Sequence, residues 1–458
     1  MLSKIQHLNT GGGNREELAS RFADLHPPLN DRQALIESQR CLYCYDAPCT
    51  NACPTGIDVP AFIACIAQEN PQGAARTILS QNILGGSCAR VCPTEILCEQ
   101  ACVHNQADQP NANVNQPIRI GLLQRHALDH AHFVTHPFQR APATGRKVAI
   151  VGAGPAGLSC AHQLSLLGNE VTIFEAGPKP GGLNEYGVAR YKLTDNYAQH
   201  EIAFLLQIGG IEIHNEQRLG RHFQLGQLTE QFDAVFLANG LGATRPLCLE
   251  EEQNPGLRAA TDYIKDLRQS NDLTQLPVPE TCIILGGGNT AIDMAVQIRL
   301  LGARQVMLVY RRGEQEMSAT APERQLALRH QVQFISWAQP VKILLDQNKK
   351  VRGMKFEKTA IFKNQLRGTG YKFDLAADMI FKATGQQLDL ATYPTNALQW
   401  DGDKIWVDDD FQTSIPRVYA GGDCIMKDPD LTVYAVQHGK LAARAMHRAM
   451  NLRGAHHG

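Results

Sequence analysis

Nine of the chain's thirteen cysteines fall within residues 41–102, and their spacing constrains this part of the chain more than any other feature. Eight of them form two runs with gaps of two to five residues, and each run contains a Cys-Pro pair: Cys41, Cys44, Cys49 and Cys53, then Cys88, Cys92, Cys98 and Cys102. Such gaps let one loop wrap several thiolates around an iron-sulfur cluster, and in ferredoxin runs the cysteine before the proline ligates the other cluster. The spacing predicts two interleaved [4Fe-4S] clusters and single-electron chemistry.

Two other uses of the cysteines are less compatible with the sequence. Disulfide frameworks suit short secreted domains, whereas this chain has 458 residues and begins without the basic and apolar regions of a secretory leader. Zinc is favoured by the Cys41-x2-Cys44 knuckle, but a structural zinc site takes two such pairs and the second run has only wider gaps. Iron-sulfur ligation is therefore the preferred interpretation.

Charge and hydropathy exclude two classes of partner. The formal net charge of −1 provides no field that would attract nucleic acid or an anionic membrane. No stretch approaches the roughly 20 apolar residues that span a bilayer, and a high density of cysteines fits a reducing compartment. We expect a cytoplasmic protein that binds neither nucleic acid nor membranes.

A dinucleotide-binding motif begins near residue 148. The apolar run 148–151 leads into Gly152-Ala153-Gly154-Pro155-Ala156-Gly157 and then a helical pattern, and a second strand over 170–174 ends in Glu175. In a Rossmann unit these glycines allow the tight turn, the approach of a pyrophosphate and close helix packing, and an acid about 20 residues later binds the ribose hydroxyls. A first dinucleotide site is predicted here.

A second unit of the same kind begins at residue 282. It reads Cys282-Ile283-Ile284-Leu285, followed by the turn residues Gly286, Gly287, Gly288, Asn289, Thr290 and Ala291. Its next strand, 305–310, is followed by Arg311 and Arg312 instead of an acid. Arginines at this point of a Rossmann unit can bind a ribose 2′-phosphate. The alternative is that the two arginines are simply a solvated charge pair at the end of the strand. The pair favours NADP(H), with NAD(H) as the other possibility.

Shorter elements add a resemblance to flavoproteins with two dinucleotide-binding domains. They are Ala238-Asn239-Gly240, Ala383-Thr384-Gly385 and Val418-Tyr419-Ala420-Gly421-Gly422-Asp423. The resemblance implies an α/β fold in which a helical iron-sulfur domain (1–140) precedes an FAD-binding domain (141–244 and 386–458). An NADP(H)-binding domain (245–385) is inserted within it, and a helix from Thr432 and Val433 to Met450 closes the flavin site.

From about Cys41 to its end the chain resembles the glutamate synthase small-subunit family of FAD and iron-sulfur oxidoreductases. The segments 41–49, 87–94 and 117–124 are most similar to the N-terminal part of dihydropyrimidine dehydrogenases. Spacing alone gives two all-cysteine sites that include Cys88 and omit Cys65. The resemblance instead implies Cys41, Cys44, Cys49 and Cys102 for one cluster, and Cys53, Cys92, Cys98 and Gln124 for the other. An ordinary helical glutamine at 124 is the remaining alternative.

The same resemblance implies cofactor contacts residue by residue. FAD contacts are expected at Glu175, Gly182, Leu183, Lys192 and Asp423, although Lys192 stands where an arginine is usual. Nicotinamide-dinucleotide contacts are expected at Gly288, Asn289, Thr290, Arg311 and Arg312.

The implied function is electron input. NADPH would reduce FAD, and electrons would pass through two [4Fe-4S] clusters to an FMN- and iron-sulfur-containing partner subunit that reduces uracil and thymine, in a hetero-oligomer. No catalytic acid or base is assigned to this chain, because the hydride chemistry belongs to the cofactors. The alternatives are the small subunit of NADPH-dependent glutamate synthase and a redox-responsive interaction protein.

Overall fold

Residues 9–10, 13–105, 116–389, 393 and 398–454 are described by the computed structural model. They form two compact units. One contains residues up to Asp24, Tyr186–Thr194 and Gly242–Gln387, and the other contains Leu25–Glu185, Asp195–Leu241 and the chain from Leu388. The cysteine-rich helices and the first Rossmann sheet therefore share a unit, and the three-domain division stays a prediction.

Helices and strands alternate along most of the chain. The helices are α1 (Arg15–Arg21), α2 (Asp31–Gln39), α3 (Pro48–Asn51), α4 (Val59–Ala67), α5 (Pro71–Gln81), α6 (Gly85–Val91), α7 (Ile120–His130), α8 (Pro155–Leu166), α9 (Leu183–Tyr186), α10 (Tyr197–Leu206), α11 (Leu225–Gln231), α12 (Ala260–Gln269), α13 (Asn289–Leu301), α14 (Ala321–Arg329) and α15 (Thr432–Gly454). The strands are β1 (Asn9–Thr10), β2 (Lys147–Val151), β3 (Glu170–Phe174), β4 (Ile211–His214), β5 (Ala234–Leu237), β6 (Ala243–Thr244), β7 (Leu257–Ala259), β8 (Pro277–Val278), β9 (Thr281–Leu285), β10 (Gln305–Val309), β11 (Gln333–Ile335), β12 (Ala338–Leu345), β13 (Val351–Phe362), β14 (Gln365–Ala376), β15 (Met379–Lys382), β16 (Gln386–Gln387), β17 (Trp400–Asp401), β18 (Lys404–Ile405) and β19 (Val418–Ala420).

The cysteine-rich part is helical, as predicted. Asparagine and aspartate side chains cap its helices: Asn30 forms a capping box with Gln33 on α2, and Asp58 caps α4. The apolar faces of α4, α5 and α7 enclose a core around Phe62 and Ile63. Partly buried cysteines of both runs, Cys41, Cys49, Cys53 and Cys98, pack against that core, which holds the cysteine loops in place.

Two parallel five-stranded sheets repeat one order in four of their five strands. The first has the order β19-β5-β2-β3-β4, and the second has the order β11-β10-β9-β15-β7, with all pairs parallel. In each sheet the strand with the glycine-rich turn lies centrally, where successive crossovers go in opposite directions and ligands bind beyond the carboxyl ends of the strands. The predicted α/β fold with two Rossmann sheets is confirmed.

The first position of each turn requires glycine for the same structural reason. Gly152 has φ +102° and Gly286 has φ +148°, and a Cβ atom at either would collide with the carbonyl oxygen of Ala238 or Ala383, respectively. Ala238 and Ala383 each begin one of the short elements noted in the sequence. The backbone of each of those elements therefore lies directly against a glycine turn, at the point where the crossovers change direction.

Helix α15 crosses α8 at a glycine. Ser159 Oγ donates to the Val436 carbonyl at 2.7 Å, and a Cβ on Gly439 would overlap the Ala156 carbonyl oxygen and the Cys160 nitrogen. Both obstacles are backbone atoms, which cannot move aside without separating the helices.

Gly439→Ala is therefore expected to destabilise the first Rossmann unit by about 1–3 kcal/mol through overpacking, seen as a lower melting temperature and weaker flavin retention. Gly226→Ala is the matched control, because Gly226 lies in α11 with no atom within 4 Å of its Cβ position. We expect it to stabilise by roughly 0.5–1 kcal/mol. Equal melting temperatures for both variants would contradict this view of the helix crossing.

Candidate functional site

The first group of cysteines surrounds an apolar hollow. Cys41, Cys44, Cys49 and Cys102 line it together with apolar residues such as Ile63. Burial and the neighbouring thiols of Cys102 and Cys41 raise the pKa of Cys49 to about 11. Four soft donors in one hollow fit a [4Fe-4S] cluster, whose iron would stabilise the buried thiolates. The structure thus brings together the four residues that the resemblance implies for one cluster.

The second group lies beside the first. The pKa of Cys92 is raised well above its ordinary value by a hydrogen bond with Cys88, by burial and by the nearby thiols of Cys98 and Cys53. Burial raises the pKa of Cys98, and the nearby thiols of Cys53 and Cys49 raise it further. Because Cys49 belongs to the first group, the two groups are adjacent, which suits stepwise transfer of single electrons. Three predicted ligands of the second cluster are therefore close together.

Gln124 is hydrogen-bonded to the first residue of α6, the helix that carries Cys88. The Gln124 side chain is buried on α7, and its Nε2 donates to the Gly85 carbonyl at 2.6 Å, which directs the amide oxygen away from that carbonyl. Cys88 is also buried, and its thiol is hydrogen-bonded to the thiol of Cys92. Ligation by Gln124 stays a prediction, with Cys88 as its structural competitor.

A buried carboxylate anchors the helix that begins the second cysteine run. Glu201 on α10 accepts hydrogen bonds from Gly86 N at 2.8 Å, from Ser87 N at 3.0 Å and from Ser87 Oγ. Burial raises its pKa to about 7 in spite of these bonds. Helix α6, which carries Cys88, is thus fixed to the first Rossmann domain. Nothing in the local sequence around Glu201 indicates this role.

A buried cation lies close to the second group. Lys440 on α15 donates to the carbonyls of Thr55 at 3.0 Å and Gln81 at 2.8 Å. Burial lowers its pKa to about 8, while proximity to the Cys53 thiol acts in the opposite direction. The lysine therefore connects the helix predicted to close the flavin site with the loop after Cys53. Sequence reasoning missed it, because a lysine within a helix ordinarily faces solvent.

The first glycine turn forms a cradle free of side chains. Gly154 precedes α8, Pro155 is its first residue, and a Cβ on Gly182 (φ +54°) would collide with the Gly154 Cα. Glu175 directly follows β3 and accepts hydrogen bonds from Ala153 N at 2.8 Å and Gly177 N at 2.6 Å. A helix N-terminus behind bare backbone suits a pyrophosphate, so the residues fit FAD.

The Gly422–Asp423 turn is held against the same cradle. A Cβ on Gly422 would press on Ala156, and its N–H donates to His438 Nδ1 at 3.2 Å, while His438 Nε2 donates to Asp428 at 2.8 Å. Burial, assisted by Asp430, raises the pKa of Asp423 to about 6.

The remaining FAD candidates at this turn belong to neighbouring helices. Thr432 Oγ1, at the start of α15, donates to Asn184 Oδ1 at 3.2 Å. Val433 is buried beside it, whereas Leu183 is exposed. The predicted FAD residues 152–157, 175, 182–183, 422–423 and 432–433 all belong to one unit.

Lys192 lies in the other unit. Its Nζ is 2.6 Å from both Asp293 and Glu323, and these ion pairs raise its pKa against the opposing effect of burial. The ammonium is thus engaged by two carboxylates of the second Rossmann domain. Its contact with FAD stays a prediction.

The second glycine turn forms the other cradle. Asn289 and Thr290 begin α13 behind Gly288, and a Cβ on Gly287 would strike the Tyr310 ring. Across the switch point, the residues after β15 are Ala383, Thr384 and Gly385, and Thr384 Oγ1 donates to the Arg245 carbonyl at 3.1 Å. This arrangement fits a second dinucleotide.

Arg311 and Arg312 follow the end of β10, and both are exposed. Their backbone carbonyls are bonded, to Thr359 Oγ1 and Trp337 N respectively, which fixes the turn. Among the described residues neither guanidinium forms a salt bridge. Both are therefore available to an anionic ligand.

The double variant Arg311→Ala/Arg312→Ala is expected to weaken NADPH binding much more than NADH binding. Each hydrogen bond to a charged phosphate contributes roughly 1.5–3 kcal/mol, or about 10-fold to 100-fold in KM. Arg304→Ala is the control, because Arg304 is an exposed arginine just before the same strand and pairs with Glu280. Equal losses for the two nucleotides would show that the pair does not read the phosphate.

Comparison with known proteins covers both parts of the chain. Residues 144–439 match the pyridine nucleotide-disulphide oxidoreductase family, and residues 18–135 match the dihydropyrimidine dehydrogenase domain II, 4Fe-4S cluster family. The NAD-dependent dihydropyrimidine dehydrogenase subunit PreT of Salmonella typhimurium is 34% identical over 425 residues, which are 93% of this chain and 96% of that protein. The chain belongs to the family of dihydropyrimidine dehydrogenase PreT subunits.

A second relative and a solved structure extend the comparison. The beta subunit of the NADPH-Fe(3+) oxidoreductase of Geobacter sulfurreducens is 32% identical over 83% of this chain and 56% of its own length. The structure of Mycobacterium tuberculosis FprA in complex with NADPH aligns with a TM-score of 0.54 at 19% identity, over 69% of this chain and 86% of that one. That likeness shows the fold alone.

Family membership establishes the general chemistry. This PreT-family chain is an NAD(P)H-dependent oxidoreductase, and its two matched domains imply FAD with NAD(P), and a 4Fe-4S cluster. Within the described ranges no helix combines the length and apolar character needed to cross a bilayer. The number of clusters and the individual ligands stay predictions.

Proposed function

We propose that this chain is the electron-input subunit of a dihydropyrimidine dehydrogenase. It takes electrons from NADPH and delivers them to an FMN- and iron-sulfur-containing partner subunit, which reduces uracil and thymine. Nearly full-length similarity to proteins named as subunits of that enzyme supports a hetero-oligomer. When bound, FAD accepts hydride from the nicotinamide, and two clusters carry electrons singly.

One observation carries the proposal: the first cysteine group opens onto an exposed apolar loop. Leu42, Tyr43 and Tyr45, which we call the exit loop, are 63%, 44% and 106% exposed and alternate with Cys41 and Cys44. Exposed aromatic and aliphatic side chains of this kind mark interaction surfaces. A partner that covers the exit loop would approach the cluster of this group, which is where electrons have to leave.

The chain's own residues hold the carriers and set their environment. Glu201 fixes α6, which carries Cys88 and precedes Cys92, and His438 fixes the Gly422–Asp423 turn. Lys440 places a positive charge near Cys53, which would favour the more negative, reduced state of the second cluster. No residue is assigned to proton transfer, because the hydride step does not require one.

NADPH is proposed as the donor on the strength of Arg311 and Arg312. The PreT relatives are named as NAD-dependent, and the Geobacter relative is named for NADPH. Comparing kcat/KM for the two nucleotides, in the wild type and in the double arginine variant, decides between them.

The proposal is tested by reconstitution. The anaerobically purified chain should contain about eight irons and one FAD, and it should oxidise NADPH with a dye acceptor. Alone it should reduce no uracil, and adding an FMN-containing subunit of a dihydropyrimidine dehydrogenase should start uracil reduction. Uracil reduction by the isolated chain would overturn the input-subunit assignment, and glutamate formation with a glutaminase-bearing partner would favour the glutamate synthase alternative.

A further inference from the structure

Two histidines and an aspartate meet at the surface of the cysteine-rich part, and none of the three is assigned to a cofactor. Asp31 is the first residue of α2, and His126 and His130 are one turn apart on α7. Their Nε2 atoms are 3.8 Å and 3.4 Å from Asp31 Oδ1, and all three atoms lie within 4.8 Å of one another. The two rings are tilted by 31° to each other, with centroids 4.1 Å apart.

Hydrogen bonds on the far side of each ring fix its orientation. His126 Nδ1 lies 3.3 Å from the Leu29 carbonyl oxygen, and His130 Nδ1 lies 2.9 Å from the His126 carbonyl oxygen. Because a carbonyl only accepts, each Nδ1 carries the hydrogen and each neutral ring keeps its lone pair on Nε2, towards Asp31. Histidines that bind metals are oriented in this way, with the other ring nitrogen donating to a carbonyl.

The separations suit metal ligands better than hydrogen bonds. N–H···O bonds span about 2.7–3.2 Å, shorter than both histidine-to-aspartate distances. In a tetrahedral zinc site with bonds of about 2.0–2.1 Å, neighbouring ligands are about 3.4 Å apart. Two imidazole lone pairs and a carboxylate that face one another repel unless a proton or a metal cation lies between them, and the longer 3.8 Å separation suits the metal.

We propose that Asp31, His126 and His130 bind a divalent transition-metal ion, for which Zn²⁺ is the probe, with a fourth position left to water. Imidazole and carboxylate ligands suit zinc and its neighbours in the transition series. Asp129, also on α7, is paired with Arg90 and Arg125 and is not counted as a ligand.

Such an ion would join two helices that matter for the clusters. Helix α2 leads directly into Cys41, and α7 carries Gln124 two residues before His126. A metal bridge would restrain both, and its role would be structural, because zinc has no redox chemistry. The inference is independent of the proposed function.

The test uses the untagged holoprotein, treated with a mild chelator and then titrated with Zn²⁺. Asp31→Asn and His130→Ala alter exposed ligands, and His132→Ala, an exposed histidine beyond the end of α7, is the matched control. We expect the wild type and the control to bind one more zinc than the two ligand variants, whose affinity should fall by at least about 100-fold. Iron and FAD contents, which report on folding, should be equal in all four proteins.

X-ray absorption at the zinc edge identifies the ligands. Nitrogen and oxygen neighbours at about 2.0–2.1 Å with an imidazole signature are expected in the wild type, whereas zinc on stray cysteines gives sulfur at about 2.3 Å. Equal zinc binding by the wild type and both ligand variants, or a sulfur-only shell, would overturn the proposal.

Discussion

Replacing Leu42 and Tyr45 with Asp is expected to block electron delivery to the partner subunit while NADPH-dependent dye reduction continues. Both side chains are more than 60% exposed and flank the first cysteine group. At the centre of an interface, such residues commonly contribute 2 kcal/mol or more, which is about 30-fold in affinity each. A carboxylate buried there without a partner adds a desolvation penalty. We expect uracil reduction in the reconstituted complex to fall by at least about 100-fold at limiting partner.

The matched control is Leu452→Asp, which places the same charge on an apolar side chain that is 68% exposed on α15. It should leave both activities unchanged. Iron and FAD contents separate the two explanations for a loss, since a damaged cluster would lower iron and slow cluster reduction by NADPH. Full activity of the Leu42/Tyr45 variant with the partner would place the exit of electrons elsewhere.

The second large effect concerns the ligands of the second cluster. If Gln124 completes it, Cys88→Ser should keep both clusters, whereas Gln124→Ala should lose about four irons. Gln124→Cys should keep its iron and lower the potential of that cluster, because a thiolate adds negative charge and stabilises the oxidised state. The structure makes the comparison informative, because both side chains are buried, Cys88 against Cys92 and Gln124 against α6, the helix that precedes Cys92.

Two further variants calibrate the iron count. Cys65→Ser changes a partly buried cysteine that neither ligand set uses, so it should keep both clusters. Cys92→Ser should lose one cluster under either assignment. Loss of a cluster in Cys88→Ser beside full iron in Gln124→Ala would return the site to all-cysteine ligation.

Local sequence determined the two Rossmann units almost residue by residue. The strand predicted over 170–174 is β3, the helix predicted from Thr432 is α15, and both glycine turns lie at the carboxyl ends of central strands. These signals are short-range, because a strand, a tight turn and a helix each depend on neighbouring residues and on the φ angles that glycine permits. Family resemblance, rather than spacing, indicated which cysteines belong together.

Only the tertiary structure decided how distant segments support the sites. Glu201 bonds a helix turn 114 residues away, Lys440 bonds a loop 385 residues away, and Lys192 pairs with two acids of the second Rossmann domain. No periodicity marks such residues, because a buried charge is specified by the partners that desolvate and satisfy it, and those come from other elements. The same holds for the meeting of Asp31 with His126 and His130. The sequence by itself determined which cofactors the chain is built for, and the packing of its elements decided which side chains hold them in place.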